Sequence, residues 1–276
     1  MRFVPLLLLG TLVSACAKEG PPVADVVSEP QTVTVTATDY GYQLPSAPIK
    51  AGLTTITLVN EGKEIHHLTL IRLADGKTMS DFMTAIETPG PVPDWAVGMG
   101  GPNGAPPGGE ANATLVLESG TYVVACFIPS PDGVPHFAKG MIMGMEVQPE
   151  DGATAALPAG DIQVGLLEYG FTLSQTPMAG KRSFTVTNQG KEPHEVVLVR
   201  LAPGKTIEQL AAWLEAGEQG PPPGEPIGGL SGMNPGQVQN FSADLTPGTY
   251  GFICFVPAPD GAPHFAHGMV ATFTVS

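Results

Sequence analysis

Residues 126–141 read CFIPSPDGVPHFAKGM, and residues 254–269 read CFVPAPDGAPHFAHGM. In both stretches nine residues separate a cysteine from a histidine, and four more separate that histidine from a methionine. A thiol, an imidazole and a thioether at fixed spacing on one loop are typical soft ligands of a transition metal. Because the pattern occurs twice in one chain, the sequence predicts two equivalent sites.

The offset between the two copies is constant along the chain. From Cys126 to Cys254 is 128 residues, and the same offset relates residues 60–66 (NEGKEIH) to residues 188–194 (NQGKEPH). Two long copies cannot share one continuous stacked core, so the repeat indicates a duplicated domain and not a solenoid.

Each copy has the pattern of a small β-sandwich domain. Alternating apolar and β-branched runs predict at least six short strands per copy, and 35 Gly and 29 Pro argue against long helices. We predict domain 1 over residues 31–148, a linker over residues 149–160 and domain 2 over residues 161–276. The predicted fold class is therefore all-β, with two tandem Greek-key β-sandwiches.

One short amphipathic helix is predicted in a long loop of each domain. In domain 2 it covers residues 207–215, with Thr206 as the N-cap and Gln209 at the capping-box position. Its counterpart in domain 1 covers residues 78–87. A crossing rich in Pro and Gly follows each helix and is predicted as loop.

The N-terminus predicts a lipoprotein signal. Val13-Ser14-Ala15-Cys16 places small residues before a cysteine and follows an apolar run. This tetrapeptide resembles the lipobox of bacterial lipoproteins, which implies removal of residues 1–15, lipidation of Cys16 and a tether over residues 16–30. An ordinary secretory signal is the alternative; a membrane-spanning anchor is disfavoured because the run is shorter than ~20 residues. The expected location is the cell envelope: the periplasmic face or, in a cell with two membranes, the outer membrane.

The sequence resembles the cupredoxin (blue copper) family, which includes plastocyanins, azurins and auracyanins. Residues 192–197 (EPHEVV) look like the first-ligand strand of plastocyanins, and the four-residue gap from His to Met is similar as well. The resemblance implies one copper ion per domain, two in all. The implied ligands are His66, Cys126, His136 and Met141 in domain 1, and His194, Cys254, His264 and Met269 in domain 2.

Two features depart from the family pattern. The gap from Cys to His is longer than in small blue copper proteins, so the loop must fold back to return the His to the metal. His67 and Glu195 stand after the first ligand, where the family often has Asn. A disulfide between Cys126 and Cys254, and a cupredoxin fold without metal, remain open as alternatives. His267 is expected to be exposed and not a ligand.

Charge and composition narrow the function classes. A formal net charge of −14 disfavours nucleic acid as a partner and favours a basic protein. The chain contains no His-X-His pair, and Ala125 and Ile253, not histidines, precede the cysteines. We therefore expect no catalytic residues and no enzyme. The expected function is a tethered electron carrier that serves a redox protein such as a basic cytochrome. The alternative is a copper-handling or metal-free binding module of the cell envelope.

Overall fold

The computed structural model describes residues 29–87, 92–151 and 155–276. The predicted signal peptide, the predicted lipidation site Cys16 and most of the predicted tether lie outside these residues. Within the described part of the chain, no helix has the length and apolar character needed to cross a membrane.

Both copies fold into short antiparallel and parallel strands with one α-helix in a loop. Domain 1 contains β1 (Gln31–Thr38), β2 (Gly41–Gln43), β3 (Ile49–Lys50), β4 (Gly52–Asn60), β5 (Thr69–Leu73), α1 (Met79–Ile86), β6 (Ala96–Gly100), β7 (Glu110–Leu117), β8 (Gly120–Ala125) and β9 (Ile142–Gln148). Domain 2 contains β10 (Ile162–Leu167), β11 (Gly170–Leu173), β12 (Gly180–Asn188), β13 (His194–Leu201), α2 (Ile207–Glu215), β14 (Gly224–Met233), β15 (Val238–Leu245), β16 (Gly248–Ile253) and β17 (Val270–Val275).

Two sheets run through both domains. One has the strand order β11-β10-β12-β15-β7-β4-β1-β2, and the other has the order β17-β16-β13-β14-β6-β5-β8-β9-β3. Each domain contributes strands to both sheets and buries its own apolar core, in which Tyr122 and Tyr250 occupy equivalent buried positions. The predicted fold class is confirmed: the chain is all-β, with two tandem β-sandwich domains that each carry one short helix.

The predicted helices are confirmed with their caps. The Thr206 side chain accepts a hydrogen bond from the Gln209 N–H, and the Gln209 side-chain oxygen accepts one from the Thr206 N–H, which completes a capping box. Thr78 and Asp81 form the same box at the start of α1.

The domains meet along strands that the sequence did not predict. β6 and β14 lie in the two Pro- and Gly-rich crossings, and they pair through Met99 and Met233. β7 and β15 meet in the other sheet. The expectation that these crossings are wholly loop is therefore wrong, because β6 pairs with β5 and β14 pairs with β13 within each domain before the two meet.

Two equivalent glycines, one just after β6 and one within β14, allow the chain to pass close to a neighbouring backbone carbonyl. Gly101 has φ +129 and Gly229 has φ +132, conformations that side chains rarely adopt. A Cβ at Gly101 would lie within 3.0 Å of the Leu68 carbonyl, and one at Gly229 within 3.0 Å of the Val196 carbonyl. Both contacts are with backbone, which has little freedom to move.

Candidate metal centres

In domain 1 three buried ligand atoms converge. Nδ1 of His66 lies 3.1 Å from Nδ1 of His136, which lies 3.4 Å from Sγ of Cys126. In domain 2 the His194 and His264 Nδ1 atoms are 3.0 Å apart, and the corresponding sulfur lies 3.5 Å from the second of them. In each cluster the ligand atoms lie within 4.8 Å of one another, and all three residues are fully buried. The structure thus brings together the predicted His-Cys-His sets.

The long loop between Cys and His does fold back. In domain 1 the His136 N–H donates to the Ile128 carbonyl at 2.9 Å, and the Phe137 N–H donates to the Cys126 carbonyl at 2.8 Å. Pro129 and Pro135 form an isolated β-bridge across the loop. Domain 2 repeats these contacts. The nine residues between the cysteine and the histidine therefore form a compact turn that brings the histidine back to the cysteine.

The two methionines lie beside the clusters. The Met141 N–H donates to the His136 carbonyl at 3.0 Å, and the Cys126 N–H donates to the Met141 carbonyl at 3.1 Å. Met269 makes the equivalent bonds in domain 2. Both side chains are fully buried in the cores that contain the cysteines. Their role as ligands stays a prediction.

An asparagine fixes the strand that carries the first histidine. In domain 1 the Asn60 side chain donates to the carbonyls of Glu64 and Ala105, and its oxygen accepts from the Gly62 N–H. Asn188 does the same in domain 2. The repeated N-x-G-K-E motif therefore forms this turn in both domains.

Carboxylates contact the outer edges of the imidazoles. His66 Nε2 lies 3.0 Å from Asp39 Oδ1, and His136 Nε2 lies 2.8 Å from Glu64 Oε2. In domain 2 the equivalent approaches are 3.9 Å to Glu168 and 3.2 Å to Glu192. Sequence reasoning missed all four acids. The repeated glutamate of the N-x-G-K-E motif was a usable signal.

This pairing makes the domain 1 cluster suited to a cation. A carboxylate at Nε2 accepts the imidazole proton, so each Nδ1 carries a lone pair. The Nδ1 lone pairs of His66 and His136 then face each other at 3.1 Å, a repulsive contact that a positive ion between them would relieve. A thiol and two imidazoles form a donor set that suits copper.

Burial sets the protonation of these groups. It lowers the pKa of His66 and of His194, so both imidazoles are neutral and free to coordinate at neutral pH. It raises the pKa of Cys126 to about 11 and raises that of Cys254 as well. Metal uptake would therefore have to displace a thiol proton at each site.

The two sites differ in their surroundings. The Phe127 N–H donates to His67 Nε2 at 2.7 Å, whereas the Phe255 N–H donates to Glu195 Oε1 at 2.9 Å. Burial lowers the pKa of His67 to about 3 and raises the pKa of Glu195 to about 7. In both domains the residue after the first histidine therefore accepts a hydrogen bond from the residue after the cysteine. The acceptor is an imidazole in domain 1 and a carboxylate in domain 2.

The structure bears on two points from the sequence, the possible disulfide between the two cysteines and the predicted exposure of His267. Cys126 and Cys254 are both free thiols buried in separate cores, so the structure shows no disulfide between them. His267 is exposed and lies 3.2 Å from Asp260, away from the ligand cluster, as expected.

No family model and no curated protein matches the sequence. Among solved structures, an auracyanin from Roseiflexus castenholzii is 23% identical and covers 41% of this chain and 94% of its own, with TM-score 0.30. A blue copper oxidase from Nitrosomonas europaea is 14% identical and covers 90% and 86%, with TM-score 0.26. A copper nitrite reductase from the same organism is 14% identical and covers 90% and 94%, with TM-score 0.26. All three are proteins of cupredoxin fold.

These comparisons correct one expectation. The sequence predicted that the chain is not an enzyme. However, multicopper oxidases and copper nitrite reductases match 89% to 90% of it. That prediction is contradicted. The absence of His-X-His pairs argues against only one kind of catalytic copper cluster, so it could not exclude every catalytic function.

Proposed function

We propose that this chain is a membrane-tethered, extracytoplasmic protein that binds one type 1 copper ion in each domain and carries electrons. The observation that supports this most is the buried His-Cys-His cluster, built twice with nearly the same distances. Two copies of one domain retain the same donor atoms, whereas packing alone would accept many apolar residues at these positions.

Electron transfer is the use that best fits a cluster held in this way. Copper at such a site supplies one-electron chemistry by alternating between Cu(I) and Cu(II). The chain's own part is to keep the donors fixed in both states. Backbone hydrogen bonds anchor Cys126, His136 and Met141 to one another, and full burial keeps water from the donor atoms.

Charge and the N-terminus support the proposed setting. The net charge of −14 would attract a basic redox protein such as a cytochrome at low ionic strength. Lipidation of Cys16 would hold the protein at the cell envelope. The alternative proposal is a copper-handling or metal-free cupredoxin-fold module, for which the same clusters would serve storage or would serve packing.

The test is copper titration of the soluble protein that begins at residue 29. We expect an intense thiolate-to-copper charge-transfer band that saturates at two equivalents. His264→Ala should abolish half of it, whereas His267→Ala, three residues away and exposed, should leave it intact. A protein without such a band at saturating copper would refute the proposal. The loaded protein should also be assayed for consumption of dioxygen and nitrite with excess reductant.

A further inference from the structure

The two Pro- and Gly-rich crossings pair with each other at equivalent positions. Residues 101–103 of domain 1 lie antiparallel to residues 229–231 of domain 2, which follow them at the repeat offset of 128. The Asn103 N–H donates to the carbonyl of the first residue in the domain 2 segment at 3.1 Å. The Ser231 N–H donates to the carbonyl of the first residue in the domain 1 segment at 2.9 Å. The pairing is therefore reciprocal, and it makes Asn103 and Ser231 structural counterparts.

The side chains of these two counterparts reach different groups of the opposite domain. Asn103 is 2% exposed, and its Nδ2 donates to Glu195 Oε2 at 3.0 Å and to the Leu230 carbonyl at 3.4 Å, both in domain 2. The shorter Ser231 side chain donates to the Leu68 carbonyl of domain 1 at 3.4 Å. Asn103 therefore contacts the side chain that directly follows the first histidine of the other domain, whereas Ser231 contacts backbone one position further along.

Glu195 lies between the ligands of the domain 2 site. It directly follows His194, and its own N–H donates to the Cys254 sulfur at 3.4 Å. Its Oε1 accepts the N–H of Phe255, the residue after that cysteine, at 2.9 Å, and its Oε2 is the oxygen that Asn103 holds. Because Glu195 is 7% exposed, water has little access to an oxygen that loses its donor. Removing the Asn103 amide would therefore leave a buried oxygen unpaired and free the carboxyl group to rotate away from Phe255.

We propose that Asn103 is a positioning residue for the domain 2 metal site, so that a side chain of domain 1 completes this site. The asparagine fixes the Glu195 carboxyl group, and Glu195 in turn fixes the backbone beside Cys254 and the sulfur itself. Groups that orient metal ligands typically change metal affinity by roughly 10- to 100-fold. Ser231 contacts only backbone near the domain 1 site, so domain 2 depends on domain 1 more than the reverse. The inference rests on the proposed copper binding.

The experiment measures the Cu(I) affinity of each site separately, by competition with a coloured Cu(I) chelator at one fixed pH. Cys126→Ser leaves the domain 2 site to report, and Cys254→Ser leaves the domain 1 site. In the first background Asn103→Leu, which has nearly the same shape, should weaken binding by about tenfold or more. In the second background it should leave binding unchanged. The Cu(II) charge-transfer band of the domain 2 site should also shift, because the sulfur loses its fixed position, and a change in folding stability alone would not move that band.

Two matched controls accompany Asn103→Leu. Ser231→Ala removes the side chain of the structural counterpart, and Asn112→Leu removes an interdomain hydrogen bond of 2.8 Å to the Ser242 carbonyl in the other sheet. Both should leave the affinity and the band of the domain 2 site unchanged. Asn103→Ser, whose side chain is as short as that of Ser231, replaces the leucine variant if that variant does not fold. It should weaken the domain 2 site in the same way.

The outcomes separate the two proposals. A wild-type protein without a charge-transfer band at saturating copper refutes the copper proposal itself, and a Cys126→Ser protein that binds no copper refutes it for domain 2. Where copper binds, an effect of Asn103→Leu on domain 2 no larger than that of Asn112→Leu overturns the positioning role while copper binding stands. Equal weakening of both sites also overturns it, since general damage to the interface would then be the cause. Weakening confined to domain 2, with a shifted band, supports it.

Discussion

The close approach of Gly101 to the Leu68 carbonyl within domain 1 should make this glycine far less replaceable than another with the same backbone conformation. Gly101 and Gly52 both have φ +129, but a Cβ at Gly52 has nothing within 4 Å, whereas one at Gly101 would lie within 3.0 Å of the Leu68 carbonyl. Gly52→Ala should cost about 1–3 kcal/mol from backbone strain alone. Gly101→Ala should cost that amount plus about 1–3 kcal/mol or more for the steric clash.

The assay is urea unfolding of the metal-free protein. The chain has one tryptophan in each domain, Trp95 and Trp213, so fluorescence in a Trp213→Phe or Trp95→Phe background follows one domain at a time. We expect coincident transitions in the wild type and in Gly52→Ala, and separated ones in Gly101→Ala, because displacing Gly101 from Leu68 also disturbs the hydrogen bond that its carbonyl accepts from the Ser231 N–H of domain 2. If Gly101→Ala loses no more unfolding free energy than Gly52→Ala, the close packing of Gly101 against the Leu68 carbonyl is refuted.

Three further predictions concern local interactions. Tyr42→Phe should cost about 1 kcal/mol of unfolding free energy, because it removes the hydrogen bond that the Tyr42 hydroxyl donates to the His67 carbonyl; urea unfolding that shows no loss would contradict this contact. Thr206→Ala should cost about 1 kcal/mol of unfolding free energy through loss of the helix cap, measured in urea. Hydrogen bonds from Ser183 lower the pKa of Asp161, so the ionised carboxylate stabilises the fold above pH 3.8, and this stabilisation is lost as the pH falls through the lowered pKa. Asp161→Asn should therefore make unfolding free energy depend less on pH in the acid range. Parallel stability–pH curves for the wild type and the variant would contradict this.

The ligand clusters were predictable because their information is local and repeated. Cys126, His136 and Met141 lie on one loop, and the second copy confirms the spacing. The helix caps were predictable for the same reason. By contrast, Asp39 and Glu168 come from a turn where the offset between copies becomes 129 residues, one more than elsewhere, as the pairing of β1–β2 and β10–β11 shows. A constant offset could not align them.

The interface was not predictable because its strands contradict local propensity. β6 and β14 are rich in glycine, yet each pairs along its length with a strand of its own domain and meets the other copy through one residue pair. Asn103 gave no signal either, since a lone buried asparagine acquires meaning only when the groups on both sides of it are known.

Asn103 of domain 1 donates from its Nδ2 to Glu195 of domain 2, at the position after the first histidine where the two copies differ. An amide has one oxygen that accepts and one NH₂ that donates, so an asparagine between two groups needs a donor on one side and an acceptor on the other. With Phe127 donating to its Nε2, His67 presents a donor at Nδ1, while the Glu195 carboxylate presents an acceptor. Restoring the repeat with Glu195→His would therefore place a second imidazole, whose outward nitrogen is also a donor, against the Nδ2 of Asn103. That variant should weaken the interface more than Asn103→Leu, which removes both amide groups at once, and urea unfolding of the pair would decide it.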